Sequence, residues 1–272
     1  MAQTTTFPAI SSHERANPLL PILSLWRREI VRFYRQKTRV LGVIVSPFVF
    51  WVTIGSGFGS SFRSGAGDQH YLQYFFPGAL LMIVLFTSIF TMMSVIEDRD
   101  RSFLSAVLVA PVPRTTIVMG KVLGTTLSAI QGFIFLVFAP AVGVHFTAVN
   151  LLIIVVSVFL MAFALTALGF TLAWQMESAQ AFHAIVNLFL IPLWLLSGAL
   201  FPLSGASGWL RWLMRLNPLT YGVEALRGLL FPGSGSLDFS VGTSLLILGL
   251  FTAAMFGLAF VMVNRRTTKP AA

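Results

Sequence analysis

Six long stretches of apolar residues constrain the fold of this chain more than any other feature. A helix that crosses a bilayer needs about 20 mostly apolar residues, and each stretch is about that long or longer. A membrane β-barrel would instead show short segments of alternating polarity. Only 10% of the residues are charged, against about 25% in a soluble domain. We therefore predict an all-α membrane protein with six transmembrane helices. The predicted spans lie at about residues 40–59, 76–96, 117–144, 149–174, 182–203 and 241–263.

The spans form one predicted domain, residues 23–263, between two short tails. Residues 1–22 are polar and interrupted by proline, and they lack the apolar core of a secretory signal peptide. We predict a flexible cytoplasmic tail there, and a second cytoplasmic tail at residues 264–272. The chain has no cysteine, which excludes a scaffold held together by disulfides.

The 18 lysines and arginines fall mainly on one side of the predicted membrane. All but Arg63, Arg211, Arg215 and Arg227 lie before span one, around the loop between spans two and three, or in the C-terminal tail. Cytoplasmic loops are enriched in lysine and arginine. We therefore predict a multi-pass protein of the cytoplasmic (inner) membrane with both termini in the cytoplasm. The net charge of +9 then indicates contact with membrane lipids rather than with nucleic acid.

The segment from residue 23 to residue 39 is a predicted amphipathic helix before the first span. At about 100° per residue, its apolar side chains fall on one arc and its arginines on the opposite arc. The apolar arc holds Leu23, Trp26, Ile30, Phe33 and Tyr34, and the basic arc holds Arg28, Arg32, Arg35 and Arg39. We expect this helix to lie in the membrane interface with its arginines near anionic headgroups. A positively charged topology signal with no further role is the alternative.

The predicted loop from Glu97 to Lys121 combines a charged cluster with a short amphipathic helix. The charged cluster, at the point where span two leaves the membrane, is Glu97, Asp98, Arg99, Asp100 and Arg101. The apolar residues at helical spacing are Phe103, Leu104, Val107 and Leu108. Pro111 and Pro113, followed by Arg114, would end this helix because proline cannot continue it. We predict a rigid helix on the cytoplasmic surface, and a solvated charged loop is the alternative.

Residues between spans five and six predict two short helices on the outer face. Trp209 and Trp212 flank an arginine, and tryptophan is typical of a bilayer surface. Asn217-Pro218 is a turn signal. The helix that follows contains Tyr221, Glu224 and Arg227. Glu224 and Arg227 are three residues apart and therefore close enough to pair. A hairpin that only stabilises the outer leaflet is the alternative to a functional element.

Few polar side chains lie inside the predicted spans, and buried polar groups in membranes are often functional. Gln131 is alone in span three, whereas Gln180, His183 and Asn187 are near the start of span five. These four residues are candidates for contact with a transported molecule or with a second copy of the chain. Hydrogen bonds between helices, which are common and weak, are the alternative.

The sequence offers no catalytic, nucleotide-binding or metal-binding motif, so we do not expect an enzyme. Gly120-Lys121 lacks the earlier glycine of a P-loop and is followed by valine. We predict no metal site because the four histidines are scattered and there is no cysteine. An ion-driven secondary transporter is disfavoured, since no predicted span carries Asp or Glu near its centre.

The loop resembles the cytoplasmic loop of the type-2 permease family of ABC transporters. The similar motifs are Asp98-Arg99-Asp100-Arg101, Phe103-Leu104, the turn from Val109 to Arg114, and Gly120-Lys121. The resemblance runs from about Trp26 over nearly all of the chain and includes a late segment from Asn217 to Arg227. The drug-exporting (daunorubicin-type) and lipo-oligosaccharide-exporting (nodulation-type) branches are the most similar. Ser105 departs from the pattern, because family members often have Glu or Arg after the Phe-Leu step.

This resemblance implies a membrane permease that pairs with a second copy of itself and sits on two ABC ATP-binding subunits. ATP and Mg²⁺ would be bound by those subunits, and this chain would bind no cofactor. The loop helix, with Arg99, Arg101, Phe103, Leu104 and Arg114, would be the coupling helix that docks on the ATPase. The amphipathic helix would be the connecting helix, and the two short outer helices would form the outer gate. The implied cargo is an exported amphipathic drug, natural product, lipid or lipo-oligosaccharide, with polysaccharide or O-antigen as the alternative.

Overall fold

The computed structural model describes residues 19–58, 70–103, 107, 109, 115–232 and 239–264. This part of the chain is helical and contains no strand. Six of its helices are long and apolar enough to cross a membrane, which confirms the predicted all-α architecture. We number them as spans one to six: Lys37–Gly57, Tyr71–Asp100, Thr115–Leu136, Ala148–Gln175, Ala179–Ala199 and Val241–Asn264. Residues 1–18 of the predicted tail at 1–22 and residues 265–272 of the predicted tail at 264–272 lie outside the described residues, whereas residues 19–22 and 264 are helical. The other sequence-predicted residues outside the described part are Arg63, Leu104, Ser105, Leu108, Pro111, Pro113 and Arg114.

The amphipathic helix before span one is Leu19–Arg35, earlier at both ends than the predicted helix. The backbone leaves the helical conformation at Gln36, with φ −91° and ψ 73°, and span one begins at Lys37. Arg39 therefore belongs to span one and not to the amphipathic helix. We call Leu19–Arg35 the N-terminal helix, and we call the end of the bundle that carries it the basic end. The opposite end is the far end.

Two further helix ends differ from the predicted ones. Span two continues to Asp100, so the predicted charged cluster from Glu97 onward occupies its last turn. Span three stops at Leu136 and not near residue 144, and a 3₁₀ turn at Ala139–Val142 follows. Pro140 in that turn cannot donate the hydrogen bond that an α-helix needs.

Span five is not a continuous α-helix, and at the far end it has backbone carbonyls without a partner inside the helix. It consists of the α-helix Ala179–Ile185, the π-helical turn Val186–Leu190, the short α-helix Ile191–Trp194 and the π-helical turn Leu195–Ala199. Gly198 has φ +76°, a left-handed conformation that glycine adopts without strain. The helical hydrogen bonds therefore end there, and the Gly198 carbonyl is available to other partners.

Span two is the centre of the bundle. It packs against spans one, three, four and five, and most of its residues are buried. Gly78 allows the far end of span five to approach closely, because a Cβ added there would lie 2.5 Å from the Cβ of Ala199. Small residues at such crossings let helix backbones approach closely in membranes. Span two therefore reaches both clusters of charged residues described below.

Candidate functional site

The N-terminal helix is docked against the bundle and is not free on the surface. Its buried face consists of Leu25, Glu29 and Phe33. Leu25 packs so closely on span three that a Cβ added at Gly120 would lie 2.7 Å from the Leu25 Cβ. The Trp26 indole N–H donates a 2.9 Å hydrogen bond to Thr126 Oγ1. The apolar side chains that stay exposed, and can face lipid, include Leu19, Leu20, Leu23, Val31 and Tyr34.

Two of the arginines expected to face headgroups instead pair with the acidic end of span two. Arg28 binds Asp98 with two hydrogen bonds of 2.7 and 2.9 Å. Arg32 donates to Asp98 at 2.9 Å and also contacts Glu97. The expectation of headgroup contacts is therefore wrong for Arg28 and Arg32. Hydrogen bonds between a guanidinium group and a carboxylate are charge-assisted, and they are about twice as strong as hydrogen bonds between neutral groups.

Lys121 is the buried centre of this cluster. Its ammonium donates hydrogen bonds to Glu29 Oε1 at 2.6 Å, Asp98 Oδ2 at 2.5 Å and Ser94 Oγ at 2.9 Å. Lys121 is 1% exposed, Glu29 3% and Asp98 0%. All three ammonium donors are thus used, and the N-terminal helix, span two and span three are joined at one point. This lysine is not available to bind a phosphate.

Phe103 connects the segment after span two to the N-terminal helix. The Arg28 guanidinium carbon lies 3.9 Å from the centre of the Phe103 ring, a cation–π contact. The hydrogen bond to Asp98, opposed by burial, raises the pKa of Arg28, so it stays charged. Of the predicted loop helix, the structure describes Phe103 and Val107, which are half-buried, and Val109, which is 87% exposed.

Arg99 links the same end of span two to span four. It donates hydrogen bonds of 2.7 Å to the backbone carbonyls of Trp174 and Met176. These carbonyls are at the C-terminal end of span four, where they have no helical partner and a cation is favoured. Asp100 and Arg101 are exposed. The six residues Arg28, Glu29, Arg32, Asp98, Arg99 and Lys121 form what we call the basic-end cluster.

The predicted pair of Glu224 and Arg227 is confirmed, and it is buried at the far end. Their side chains are 2.6 Å apart and 1% and 0% exposed. Arg227 also donates a 2.8 Å hydrogen bond to the Gly198 carbonyl and lies over the Tyr74 ring, 4.1 Å from its centre. The Tyr74 hydroxyl donates to the same carbonyl at 2.9 Å. This far-end cluster joins spans two and five to the short helix Pro218–Leu230.

The turn predicted at Asn217-Pro218 is present and separates the two short helices. Asn217 Oδ1 accepts a 3.0 Å hydrogen bond from the Leu219 N–H and so caps the helix Pro218–Leu230. Its Nδ2 donates to the Leu193 carbonyl of span five at 2.6 Å. The first short helix, Gly208–Leu216, carries the expected tryptophans, with Trp209 69% and Trp212 62% exposed. Tyr221 closes the turn by donating to the Arg215 carbonyl at 2.7 Å.

The four polar residues predicted inside the membrane do not form one site. Gln131 is buried and contacts the Tyr34 hydroxyl of the N-terminal helix at 3.4 Å. Gln180 and Asn187 are exposed on span five, with His183 half-buried between them. The described residues contain no group of three or more His, Cys, Asp or Glu that could hold a metal ion.

Comparison with known proteins assigns a family to this arrangement. The family model described as ABC-2 type transporter matches residues 21–231. The putative transport permease ycf38 of Cyanophora paradoxa is 29% identical over 88% of this chain and 79% of its own length. The inner membrane transport permease YadH of Escherichia coli K12 is 27% identical over 89% of this chain and 94% of its own. The daunorubicin resistance ABC transporter permease protein DrrB1 of Streptomyces coeruleorubidus is 23% identical over 79% and 76%.

Proposed function

The chain belongs to the ABC-2 type transporter family of transport permeases, and from that premise we propose that it is the membrane subunit of an ATP-driven exporter. It moves an amphipathic substrate outward across the cytoplasmic membrane. The match over residues 21–231 is the observation that carries this proposal. Its similarity to a daunorubicin resistance permease supports a drug or another amphipathic natural product, lipid or lipo-oligosaccharide as cargo.

The energy comes from a separate ABC ATP-binding subunit, which the family implies. The ATP and Mg²⁺ are held by that subunit, because the one Gly-Lys step in this chain has its lysine buried against Glu29 and Asp98. In our proposal the complex contains two ATP-binding subunits and two copies of this chain. Exposed apolar residues on spans one and five, such as Leu41, Val45 and Leu188, are available to lipid and to the second copy.

The basic end is cytoplasmic in our proposal, with both termini on that side, and it receives the movement of the ATP-binding subunit. Phe103 holds the segment after Asp100 to the N-terminal helix. Arg99, in the last turn of span two, holds the start of that segment close to span four. Lys121 adds span three to the same unit. Displacement of this segment would therefore shift three spans and the N-terminal helix together.

Span two would carry that movement to the far end, which we propose is the outer gate. Asp98 in the basic-end cluster and Tyr74 in the far-end cluster are on the same helix. At 1.5 Å per residue, they are separated by about 36 Å. The arrangement of Tyr74, Gly198 and Arg227 holds the short outer helices against spans two and five. Opening of the outer gate would require this contact to change.

ATP hydrolysis provides the test of the proposed function. The purified chain in proteoliposomes should hydrolyse no ATP, and hydrolysis should appear when its ATP-binding subunit is added. Phe103→Ala should lower that activity severalfold, because it removes the ring that ties the segment after span two to Arg28. Phe146→Ala, at an exposed phenylalanine between spans three and four, is the matched control. ATP hydrolysis that does not respond to this chain would contradict the proposal.

A further inference from the structure

An open groove lies between the first turns of span one and the middle of span two. Its volume is about 380 Å³, within the usual range of small-molecule sites. Its lining residues are Thr38, Arg39, Gly42, Ser46, Phe86 and Phe90. Thr38, Gly42 and Ser46 are four residues apart and so share one face of span one. A Cβ added at Gly42 would meet no atom within 4 Å, so the absent side chain leaves the groove open.

The groove has a positive charge at one end that its surroundings do not neutralise. Among the described residues, Arg28, Arg32, Arg39 and Lys121 form ion pairs with Glu29, Glu97 and Asp98, so these four cations exceed their three acidic partners by one charge. Arg39 has the weakest pairing of the four cations. Its one polar contact among the described residues is with Glu97 at 3.4 Å, longer than the 2.7–2.9 Å or so of a strong charged hydrogen bond. Glu97 is also engaged by Arg32.

The other end of the groove lies deeper in the bundle and is lined by Phe86 and Phe90 of span two and by Ser46 of span one. Phe90 is close to Arg39, whose guanidinium carbon is 5.4 Å from the ring centre. Phe86 is one turn further along span two, away from the basic end. Ser46 is about 12 Å deeper than Thr38, from the rise of 1.5 Å per residue. The groove thus places one cation and one hydroxyl at its mouth and two aromatic rings behind them.

We propose that this groove binds an amphipathic anion. A phosphate or carboxylate is held by Arg39 with the Thr38 hydroxyl, and the apolar body lies along Phe86 and Phe90. Arginine near the end of a span reaches the level of lipid headgroups, where such anions are oriented in this way. The bound molecule is either an anionic lipid or the transported cargo, and for the cargo the inference rests on the proposed function.

Equilibrium binding of radiolabelled dodecyl phosphate tests this proposal, with the full-length chain in phosphatidylcholine nanodiscs. We expect saturable binding that Arg39→Gln weakens by about tenfold, since a charge-assisted contact is lost. Arg39→Lys keeps the charge and should retain most of the affinity. Gly42→Leu should block the groove without a clash, whereas Gly249→Leu, at another open glycine in span six, should have no effect. Dodecyl maltoside, which has the same chain but no charge, should not compete.

Two results would overturn the proposal: unchanged affinity in Arg39→Gln, or equal competition by dodecyl maltoside. If Gly42→Leu does not yield monodisperse protein, the comparison of Arg39→Gln with Arg39→Lys decides. Phosphatidylglycerol added to the nanodiscs distinguishes the sources. Displacement of dodecyl phosphate identifies a lipid site, and retention identifies a cargo site. The assay contains no ATP-binding subunit, so its failure would leave ATP-driven transport intact, and failure of the ATPase assay would leave this binding site intact.

Discussion

Replacing Lys121 with methionine should lower the free energy of unfolding by about 3–5 kcal/mol, the usual effect of removing one partner from a buried ion pair. The lysine ammonium lies 2.6 Å from Glu29 and 2.5 Å from Asp98, and all three residues are almost fully buried. Asp98 would keep its bonds to Arg28 and Arg32. Among the described residues, Glu29 would keep a 3.5 Å contact with Arg28 as its one ion pair. The N-terminal helix, which carries Glu29, should therefore detach from span three first.

Thermal unfolding of the purified chain in one detergent measures this effect. Lys37→Met is the matched control, because Lys37 is exposed and its replacement should leave the midpoint nearly unchanged. Adding Glu29→Gln to Lys121→Met should recover part of the lost stability. The buried side chain at position 29, which has lost the lysine as its partner, is then neutral. Equal midpoints for Lys121→Met and Lys37→Met would show that the buried cluster does not stabilise the fold.

Replacing Arg227 with methionine should cost a comparable 3–5 kcal/mol or so. The guanidinium is fully buried, pairs with Glu224, donates to the Gly198 carbonyl and lies over Tyr74. Its loss removes the cation beside a buried carboxylate and leaves the Gly198 carbonyl with the Tyr74 hydroxyl. Arg227→Lys should have an intermediate effect, because lysine keeps the charge but lacks the planar group that stacks on the ring.

Hydrogen exchange separates this local effect from general destabilisation. In Arg227→Met the backbone amides of Pro218–Leu230 should exchange faster, while those of the N-terminal helix keep their protection. Arg215→Met is the control, since Arg215 is an exposed arginine in the preceding short helix. The double variant Glu224→Gln/Arg227→Met should be more stable than Arg227→Met alone. Unchanged exchange in Pro218–Leu230 would mean that Arg227 does not hold the outer helices.

The periodic features of the sequence predicted the fold well. The six spans, the amphipathic helix before them and the pairing of Glu224 with Arg227 depend on apolar length or on spacing within one helix. The turn at Asn217-Pro218 depends on two neighbouring residues. Such features are local, so the sequence contains the information that specifies them. The boundaries at Gln36 and Leu136 were missed because short irregular turns leave only a weak signal.

The contacts between distant residues could not be predicted from one sequence. Lys121 pairs with Glu29 across 92 positions, and Arg99 reaches the carbonyl of Met176 across 77. The one available signal was a lysine at the start of an apolar span together with a single acid in a basic helix. Each would be costly to bury alone, which favours their meeting. The role of Arg28 and Arg32 was misjudged for the same reason, since helical periodicity shows which face they share but not what that face meets.

Site-specific cross-linking tests most directly whether the ATP-binding subunit acts through the segment after span two. The chain has no cysteine, so Val109→Cys introduces a single thiol at a position that is 87% exposed. Ser207→Cys places the matched thiol at an exposed position of the far end. Each variant is labelled with a thiol-reactive photo-cross-linker in membranes that contain the ATP-binding subunit. We expect a cross-link to that subunit from Val109→Cys and none from Ser207→Cys. No cross-link from Val109→Cys, or equal cross-linking from both positions, would contradict the proposed coupling.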